Sequence, residues 1–216
     1  MRVAVLYEAS GRVRDAFLAA GHDAISVDLR ASAAPGPHAI GDVLAWLRSD
    51  DARGLDLAIA HPSCRYLAVS GLHWNARNHG RGACTLWSLD HVRQLMALLD
   101  ERAARWAVEN PRSAIGSAIR KADQRLQPHN YGADAAKETY LWLRRLPPLR
   151  PTLRVPGRLV DDGRAQLGLF GTGVERWENQ TDDGQNRLGE TADRWSVRSN
   201  TYPGVATAMA QQWGNL

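Results

Sequence analysis

At 216 residues the chain is long enough to bury a large hydrophobic core, and its 44% hydrophobic and 23% charged residues are ordinary for a soluble globular protein. No apolar run approaches the length of a membrane span, which argues against a membrane partner, and two cysteines are too few for a disulfide scaffold. The formal net charge of +4 permits a polyanionic partner, because a basic surface attracts phosphates. Residues 1–7 predict a strand rather than a signal peptide, so we expect the protein in the cytoplasm.

The N-terminal part of the chain alternates between predicted strands and predicted helices. Apolar strands are predicted at 3–7, 24–27 and 55–60. After the first strand, apolar residues recur at helical spacing from Val13 to Ala20, and Gly21 ends that helix. A second helix opens at Asp42. Strands that alternate with helices in this way favour a parallel sheet.

The C-terminal part predicts further elements and one segment of different character. An amphipathic helix is predicted at 88–104, strands at 106–108 and 139–143, and a closing helix from about Val205. Residues 150–198 are rich in Gly, Asp, Arg and Asn and have few periodic apolar positions, which predicts a loop-rich insert. Trp177 and Trp195 in this insert could stack on bases or pack its loops together.

These elements predict an α/β fold with a Rossmann-like, mostly parallel sheet, helices on both faces and a small loop-rich lobe. We assign residues 1–149 and 199–216 to the α/β domain. Residues 150–198 are assigned to the lobe, which we expect to recognise the substrate.

Polar residues follow the predicted strands, at the edge where open parallel sheets bind their ligands. Glu8, Ser10 and Gly11 form a small-residue turn after the first strand, where backbone amides at a helix N-terminus could meet the methionine carboxylate of a cofactor. Asp28 could accept hydrogen bonds from ribose hydroxyls, or cap a turn. Asp42 could reach an adenine amino group, or be a helix N-cap.

A thiol follows the predicted strand at 55–60, in the segment His61-Pro62-Ser63-Cys64. A structural cysteine is normally buried among apolar residues, whereas a proline-containing loop at the mouth of the sheet exposes Cys64 and indicates a nucleophile. Glu109 ends a neighbouring strand, and its carboxylate could hydrogen-bond a heterocycle and act as a general acid, or lie unused on the surface.

Several potential metal ligands lie close together in the sequence, namely His61, Cys64, His73, His79 and Cys84. Zinc sites favour tight paired spacings, and only His61 with Cys64 comes close to one. We therefore predict that the protein binds no metal.

Taken in order, these segments resemble the cytosine-5 DNA methyltransferase family, especially its short phage- or prophage-type members. The matching residues are 8–17 with Gly21 and His22, then Asp28, 41–43, 61–64 and 109–111, and near the end 176–181, 184–186 and 198–204. They keep the order of the family and cover most of the chain. Ser63 stands where the family usually has a second proline before the cysteine.

The resemblance implies a class I methyltransferase-like fold and an enzyme that uses S-adenosyl-L-methionine to methylate carbon 5 of cytosine in DNA. Cys64 would attack carbon 6 and form a covalent adduct, and Glu109 would hydrogen-bond nitrogen 3 and the amino group. Asn110 would order the loop that holds Glu109, and Lys137 would contact phosphate. The residues expected to bind the cofactor are Glu8, Ser10, Gly11, Asp28, Asp42, His61 and Asn200.

The small size of the 150–198 insert leaves two other hypotheses open, because family members that read a DNA sequence carry a substantial recognition domain. One is an enzyme that modifies a free cytosine nucleotide or an RNA cytosine. The other is a non-catalytic nucleic-acid-binding protein that keeps the fold. Cys64 and Glu109 argue against this last hypothesis, since a binding module needs neither residue.

Overall fold

The computed structural model describes residues 1–77, 79–161, 173–187 and 200–216. The strands in this part are β1 (Arg2–Leu6), β2 (Asp23–Asp28), β3 (His38–Ile40), β4 (Leu55–Ala60), β5 (Ala103–Pro111), β6 (Gln124–Leu126), β7 (Thr139–Arg144), β8 (Arg158–Val160) and β9 (Val174–Arg176). The helices are α1 (Arg12–Ala19), α2 (Val43–Arg48), α3 (Val69–Arg77), α4 (His79–Arg102), α5 (Ile115–Ala118) and α6 (Pro203–Trp213), with 3₁₀ turns at Asp50–Ala52 and Pro128–Asn130.

Seven of the described strands form one sheet in the order β3-β2-β1-β4-β5-β7-β6. The strands from β3 to β5 in this order are parallel, whereas β7 pairs antiparallel with both β5 and β6. The chain winds outward from β1 to β3 and then returns to place β4 and β5 on the other side of β1. A ligand crevice is therefore expected beyond the carboxyl ends of β1 and β4, where the winding reverses.

Helices cover both faces of the sheet, and alternate residues of each strand point to different hydrophobic clusters. In β1, Val3 and Val5 join the cluster that contains apolar residues of α1 and α6, while Ala4 and Leu6 join the cluster that contains those of α2, α4 and α5. Burial on both faces explains the almost continuous apolar sequence of β1 and β4. The predicted Rossmann-like α/β architecture with a mostly parallel sheet is confirmed.

Some element boundaries differ from the prediction. The long helix α4 begins at His79 rather than at residue 88. Strand β5 begins at Ala103 and ends at Pro111, so it is longer than the predicted strand at 106–108. Strands β3 and β6 were not predicted because each has only three residues, and helix α3, which contains Gly71 between its apolar positions Val69 and Leu72, was not predicted either. No helix within the described residues is long and apolar enough to cross a membrane.

The described part of the 150–198 segment forms a small antiparallel pair, β8 with β9, surrounded by loops. The Trp177 ring stacks on His129 with 3.8 Å between ring centroids and 5° between planes, and its Nε1 donates to the Val155 carbonyl at 3.0 Å. Trp177 thus packs the loops together, which is one of its two predicted roles. Trp195 lies outside the described residues, as do 162–172 and the rest of 188–199, so the domain boundaries stay a prediction.

Candidate active site

Polar side chains from four neighbouring strands meet at the carboxyl edge of the sheet. Leu6 is in register with Val27 of β2 and Ala60 of β4, and Ala60 is in register with Val108 of β5. The residues that follow these positions are therefore neighbours, and they are Tyr7, Asp28, His61 and Glu109. Three of the four were predicted as site residues.

Glu8 is buried and bonds to the first turn of α1. Its Oε1 accepts from the Val13 amide at 2.7 Å and its Oε2 from the Arg14 amide at 3.2 Å. Ser10 donates its hydroxyl to Glu8 Oε1 at 3.1 Å and accepts from the Arg12 amide at 3.3 Å. The amides that were expected to meet a cofactor carboxylate are thus bonded to protein side chains, and Glu8 places a negative charge at this helix end.

Gly11 and Arg14 fit together behind this turn. Gly11 is left-handed, with φ of 74°, and a Cβ there would clash with Arg14 Nη2. The Arg14 side chain is completely buried and donates to the hydroxyls of Ser26 and Ser32, both at 3.1 Å, and to the Pro35 carbonyl at 2.9 Å. Arg14 therefore holds the connection between β2 and β3 against α1.

The ends of β2 and β3 offer a carboxylate beside two exposed apolar side chains. Asp28 is buried, and its Oδ1 accepts from the Arg30 amide at 2.9 Å and from Arg30 Nε at 3.2 Å. Leu29 is 73% exposed, and Ile40, in register with Asp28, is 66% exposed, so apolar surface lies beside the carboxylate. Asp42 is the N-cap of α2 and accepts from the Ala45 amide at 2.8 Å, so its capping role is observed and its adenine contact stays a prediction.

His61 and Glu109 form a hydrogen-bonded pair at the ends of β4 and β5, with 3.2 Å between His61 Nδ1 and Glu109 Oε2. Burial opposes ionisation of Glu109, but the His61 hydrogen bond and the charge of Lys137 outweigh it and hold the pKa of Glu109 below its ordinary value. The carboxylate is therefore ionised at neutral pH, and Nδ1 of His61 is the donor. Nε2 of His61 is buried without a hydrogen-bond partner among the described residues.

Lys137 lies beside Glu109 and closes one side of the site. Its Nζ donates to the Asn200 carbonyl at 3.4 Å. Glu109 and Lys137 line a recess of only about 10 Å³, together with Thr201 and Tyr202. A recess of this size can hold at most about one water molecule. The phosphate contact of Lys137 and the cofactor contact of Asn200 stay predictions.

Asn110 of β5 bonds to the Cys64 loop, and its expected role in ordering the backbone around Glu109 stays a prediction. Its buried side-chain amide donates to the Pro62 carbonyl at 2.8 Å, across from β5 to the segment after β4. The chain then turns, with the Cys64 carbonyl accepting from the Leu67 and Ala68 amides at 3.0 and 2.9 Å. Cys64 itself is exposed, as predicted for a nucleophile, whereas Cys84 is half-buried.

Tyr7 and His91 also belong to this edge, and sequence reasoning missed them. Tyr7 follows β1 in a left-handed conformation with φ of 59°, a strained geometry for a bulky residue. Its hydroxyl lies 2.7 Å from His91 Nε2 on α4. Burial raises the pKa of Tyr7 and lowers that of His91, so the pair is uncharged at neutral pH. The available signal was a tyrosine at the end of the predicted first strand.

No protein-family model matches this chain, and no curated protein is significantly similar to it. The family resemblance therefore depends on the quoted motifs and their order. Among the described residues, no group of three His, Cys, Asp or Glu side chains could hold a metal ion. The side chains of His73 and His79 lie outside the described part, so the absence of a metal stays a prediction.

Proposed function

We propose that the protein is a class I methyltransferase that transfers a methyl group from S-adenosyl-L-methionine to carbon 5 of cytosine in DNA, with Cys64 as the nucleophile. One observation carries the proposal. The amide of Asn110 ties the loop of the exposed Cys64 to the strand that bears the ionised carboxylate of Glu109. A thiol and a carboxylate on neighbouring strand ends are what addition to a cytosine ring requires.

The residues at this edge fit the adenosine half of the cofactor. Asp28 has a carboxylate for the ribose hydroxyls, and the exposed side chains of Leu29 and Ile40 offer apolar surfaces to an adenine ring. At the other end, Glu8 would attract the ammonium group of the methionine moiety rather than its carboxylate. When bound, S-adenosyl-L-methionine supplies an electrophilic methyl group.

Cys64 and Glu109 then each have a defined task. The Cys64 thiolate adds to carbon 6 of the ring, which makes carbon 5 nucleophilic. The ionised Glu109 accepts a hydrogen bond from the exocyclic amino group and so orients the ring. Glu109 would also act on nitrogen 3 as the general acid, taking up one proton from water and donating it to the ring as carbon 6 is attacked. Carbon 5 takes the methyl group and the demethylated donor leaves. The carbon 5 proton then passes to a water molecule and the nitrogen 3 proton returns to Glu109, while the bond between carbon 6 and the Cys64 sulfur breaks and restores the ring.

The test is to incubate the protein with radiolabelled methyl donor and, in parallel, duplex DNA, single-stranded DNA, RNA and cytidine monophosphate. Cys64→Ser should reduce transfer to background while cofactor binding persists, since an alcohol is a far weaker nucleophile than a thiolate at neutral pH. Cys84→Ser is the matched control and should keep its activity. Undiminished turnover in Cys64→Ser would contradict the mechanism.

The parallel substrates separate this proposal from its alternatives. If methyl transfer to cytidine monophosphate were as fast as transfer to DNA, the substrate would be a free nucleotide rather than a nucleic acid. The roles of Cys64 and Glu109 would stay unchanged. The absence of transfer to any substrate, with no binding of the methyl donor by calorimetry, would favour a non-catalytic protein.

A further inference from the structure

The segment that follows the candidate nucleophile has a distinctive charge. From His61 to Leu89 the sequence contains three arginines and no aspartate or glutamate. In the structure this segment forms the Cys64 turn, α3 and the first turns of α4. It is therefore a basic surface that begins at the candidate active site.

Aromatic side chains stand exposed on the same surface. Trp74 on α3 is 56% exposed and Trp87 on α4 is 68% exposed. By contrast, Trp106, Trp142 and Trp213 are almost completely buried in the core. Trp74 and Trp87 therefore contribute little to the hydrophobic core. Exposed aromatic side chains on a basic surface indicate a binding site for a partner molecule.

The three arginines of this segment contact two aromatic rings, those of Trp74 and of the half-buried Tyr66. The guanidinium groups of Arg65 and Arg81 lie 5.4 and 5.7 Å from the centroid of the Tyr66 ring, and that of Arg77 lies 5.8 Å from the Trp74 ring. Cation–π contacts of this kind hold cationic and aromatic groups side by side. Alternating stacking surfaces and phosphate-binding charges are what proteins use to bind single-stranded nucleic acid.

Two contacts join this surface to the site. Thr85 on α4 donates its hydroxyl to the Tyr66 carbonyl at 3.0 Å, two residues after Cys64. The Trp87 ring lies 5.7 Å from the ring of His91, which bonds to Tyr7 at the end of β1. The surface thus extends from the nucleophile loop to the strand ends.

A cavity of about 390 Å³ adjoins this surface at the start of α3. Val69, the first residue of α3, lines it, and so do Tyr140 and the basic residues Arg112 and Lys121. Ser113 lines it too, and its buried hydroxyl has no hydrogen-bond partner among the described residues. A cavity of this size is comparable to small-ligand pockets and can hold one nucleoside.

We infer that this stacking face, defined by Tyr66, Trp74 and Trp87 with Arg65, Arg77 and Arg81, binds single-stranded DNA and that the cytosine substrate is unpaired. The inference rests on the proposed function and deepens it by naming the substrate class. Bases in a duplex stack on each other, so their faces cannot contact the tryptophans, and extruding one has an energetic cost. A single strand avoids that cost and needs no large recognition lobe.

Binding is measured by fluorescence anisotropy with a short cytosine-containing DNA strand, the corresponding hairpin duplex and the matching RNA strand, without methyl donor. The single DNA strand should bind about tenfold or more tighter than the duplex. Trp74→Ala and Trp87→Ala should each weaken single-strand binding roughly 5- to 150-fold, the range for loss of one stacked base, and leave duplex binding nearly unchanged. Leu216→Ala, at an exposed position just after α6, on the other face of the sheet from α4, is the control and should have no effect.

Duplex binding as tight as single-strand binding, or unchanged single-strand affinity in both tryptophan variants, would overturn the inference and leave methyl transfer by Cys64 standing. Tighter binding of the RNA strand would overturn the assignment to DNA. If both variants lose single-strand affinity but no substrate is methylated, the proposed methyl transfer is contradicted and the inferred DNA-binding surface stands. Circular dichroism of each variant verifies that it is folded.

Discussion

The carboxylate of Glu109 lies next to groups that act on it in opposite directions. Burial favours its neutral form, whereas the hydrogen bond from His61 and the charge of Lys137 favour the ionised form and together lower its pKa. The folded protein therefore binds a proton at this carboxyl group less readily than the unfolded chain does. This difference makes the stability of the fold depend on pH.

Glu109→Gln should change the acid limb of the stability profile. In the natural protein the contribution of ionised Glu109 is present above its ordinary pKa of 4.5 and is lost as the pH falls through the lower folded value. The glutamine cannot titrate, so the variant should lose less unfolding free energy over this acid window. Urea unfolding over a pH series measures it, with Glu101→Gln, an exposed carboxylate at the end of α4, as control. Identical profiles for the natural protein and Glu109→Gln would contradict the pKa argument.

The sequence predicts which of these side chains share an edge but not what they bond to. Asp28, His61 and Glu109 each follow an apolar strand, and parallel strands end together, so their proximity could be predicted. The bond from Asn110 to Pro62 could not, because it joins residues 48 apart in the chain through an atom-level fit. The same holds for Glu8, whose carboxylate bonds to the α1 amides that a ligand was expected to use.

The turn that leads into α1 depends on a glycine for two separate reasons. Gly11 has a positive φ, which costs other residues energy, and its missing Cβ leaves room for Arg14. Gly21, just after α1, has a φ of 83° but no atom within 4 Å of its hypothetical Cβ. Alanine substitutions at residues 11 and 21 therefore distinguish the energetic cost of backbone strain from that of steric crowding.

Gly11→Ala should destabilise the protein by about 2 to 5 kcal/mol, the sum of left-handed strain and displacement of a packed side chain. Gly21→Ala should cost only the strain, about 1 to 2 kcal/mol. Urea unfolding of both variants gives the comparison. Equal losses at the two positions would mean that the buried Arg14 adapts freely to a methyl group at residue 11.

Elements with a strong apolar pattern were predicted, and those without one were not. Strands β1, β2, β4 and β7 are short apolar runs and were placed within one or two residues. Strand β3 has no fully buried residue, so its sequence carries no signal of a strand. The first turns of α4 include Gly80 and Gly82 and lack an apolar stripe, so the prediction began that helix too late.

The sheet separates two hydrophobic clusters among the described residues, and the C-terminal helix α6 completes one of them. Trp213 near the end of α6 is fully buried, and its Nε1 donates to the Pro147 carbonyl at 3.0 Å. Gly204 at the start of α6 allows close contact with the Tyr131 carbonyl. The last residues of the chain therefore pack against elements from its beginning, since α6 lies on α1.

Trp213→Ala should destabilise the whole molecule by about 3 to 5 kcal/mol, because it leaves a large cavity in this cluster. Trp87→Ala removes the same side chain from an exposed position and should change the free energy of unfolding by less than about 0.5 kcal/mol. Thermal and urea unfolding of the two variants measure the difference. A loss of unfolding free energy in Trp213→Ala as small as that in Trp87→Ala would show that α6 contributes little to stability.

The buried carboxylate of Glu8 has a consequence for what this fold can hold. Doubly wound sheets commonly bind dinucleotides, with the pyrophosphate seated on the N-terminal amides of the first helix. Here those amides of Val13 and Arg14 are already bonded to Glu8, and its negative charge repels a phosphate. A pyrophosphate is therefore not expected on these amides, whereas the charge of Glu8 would attract the cationic end of a small molecule.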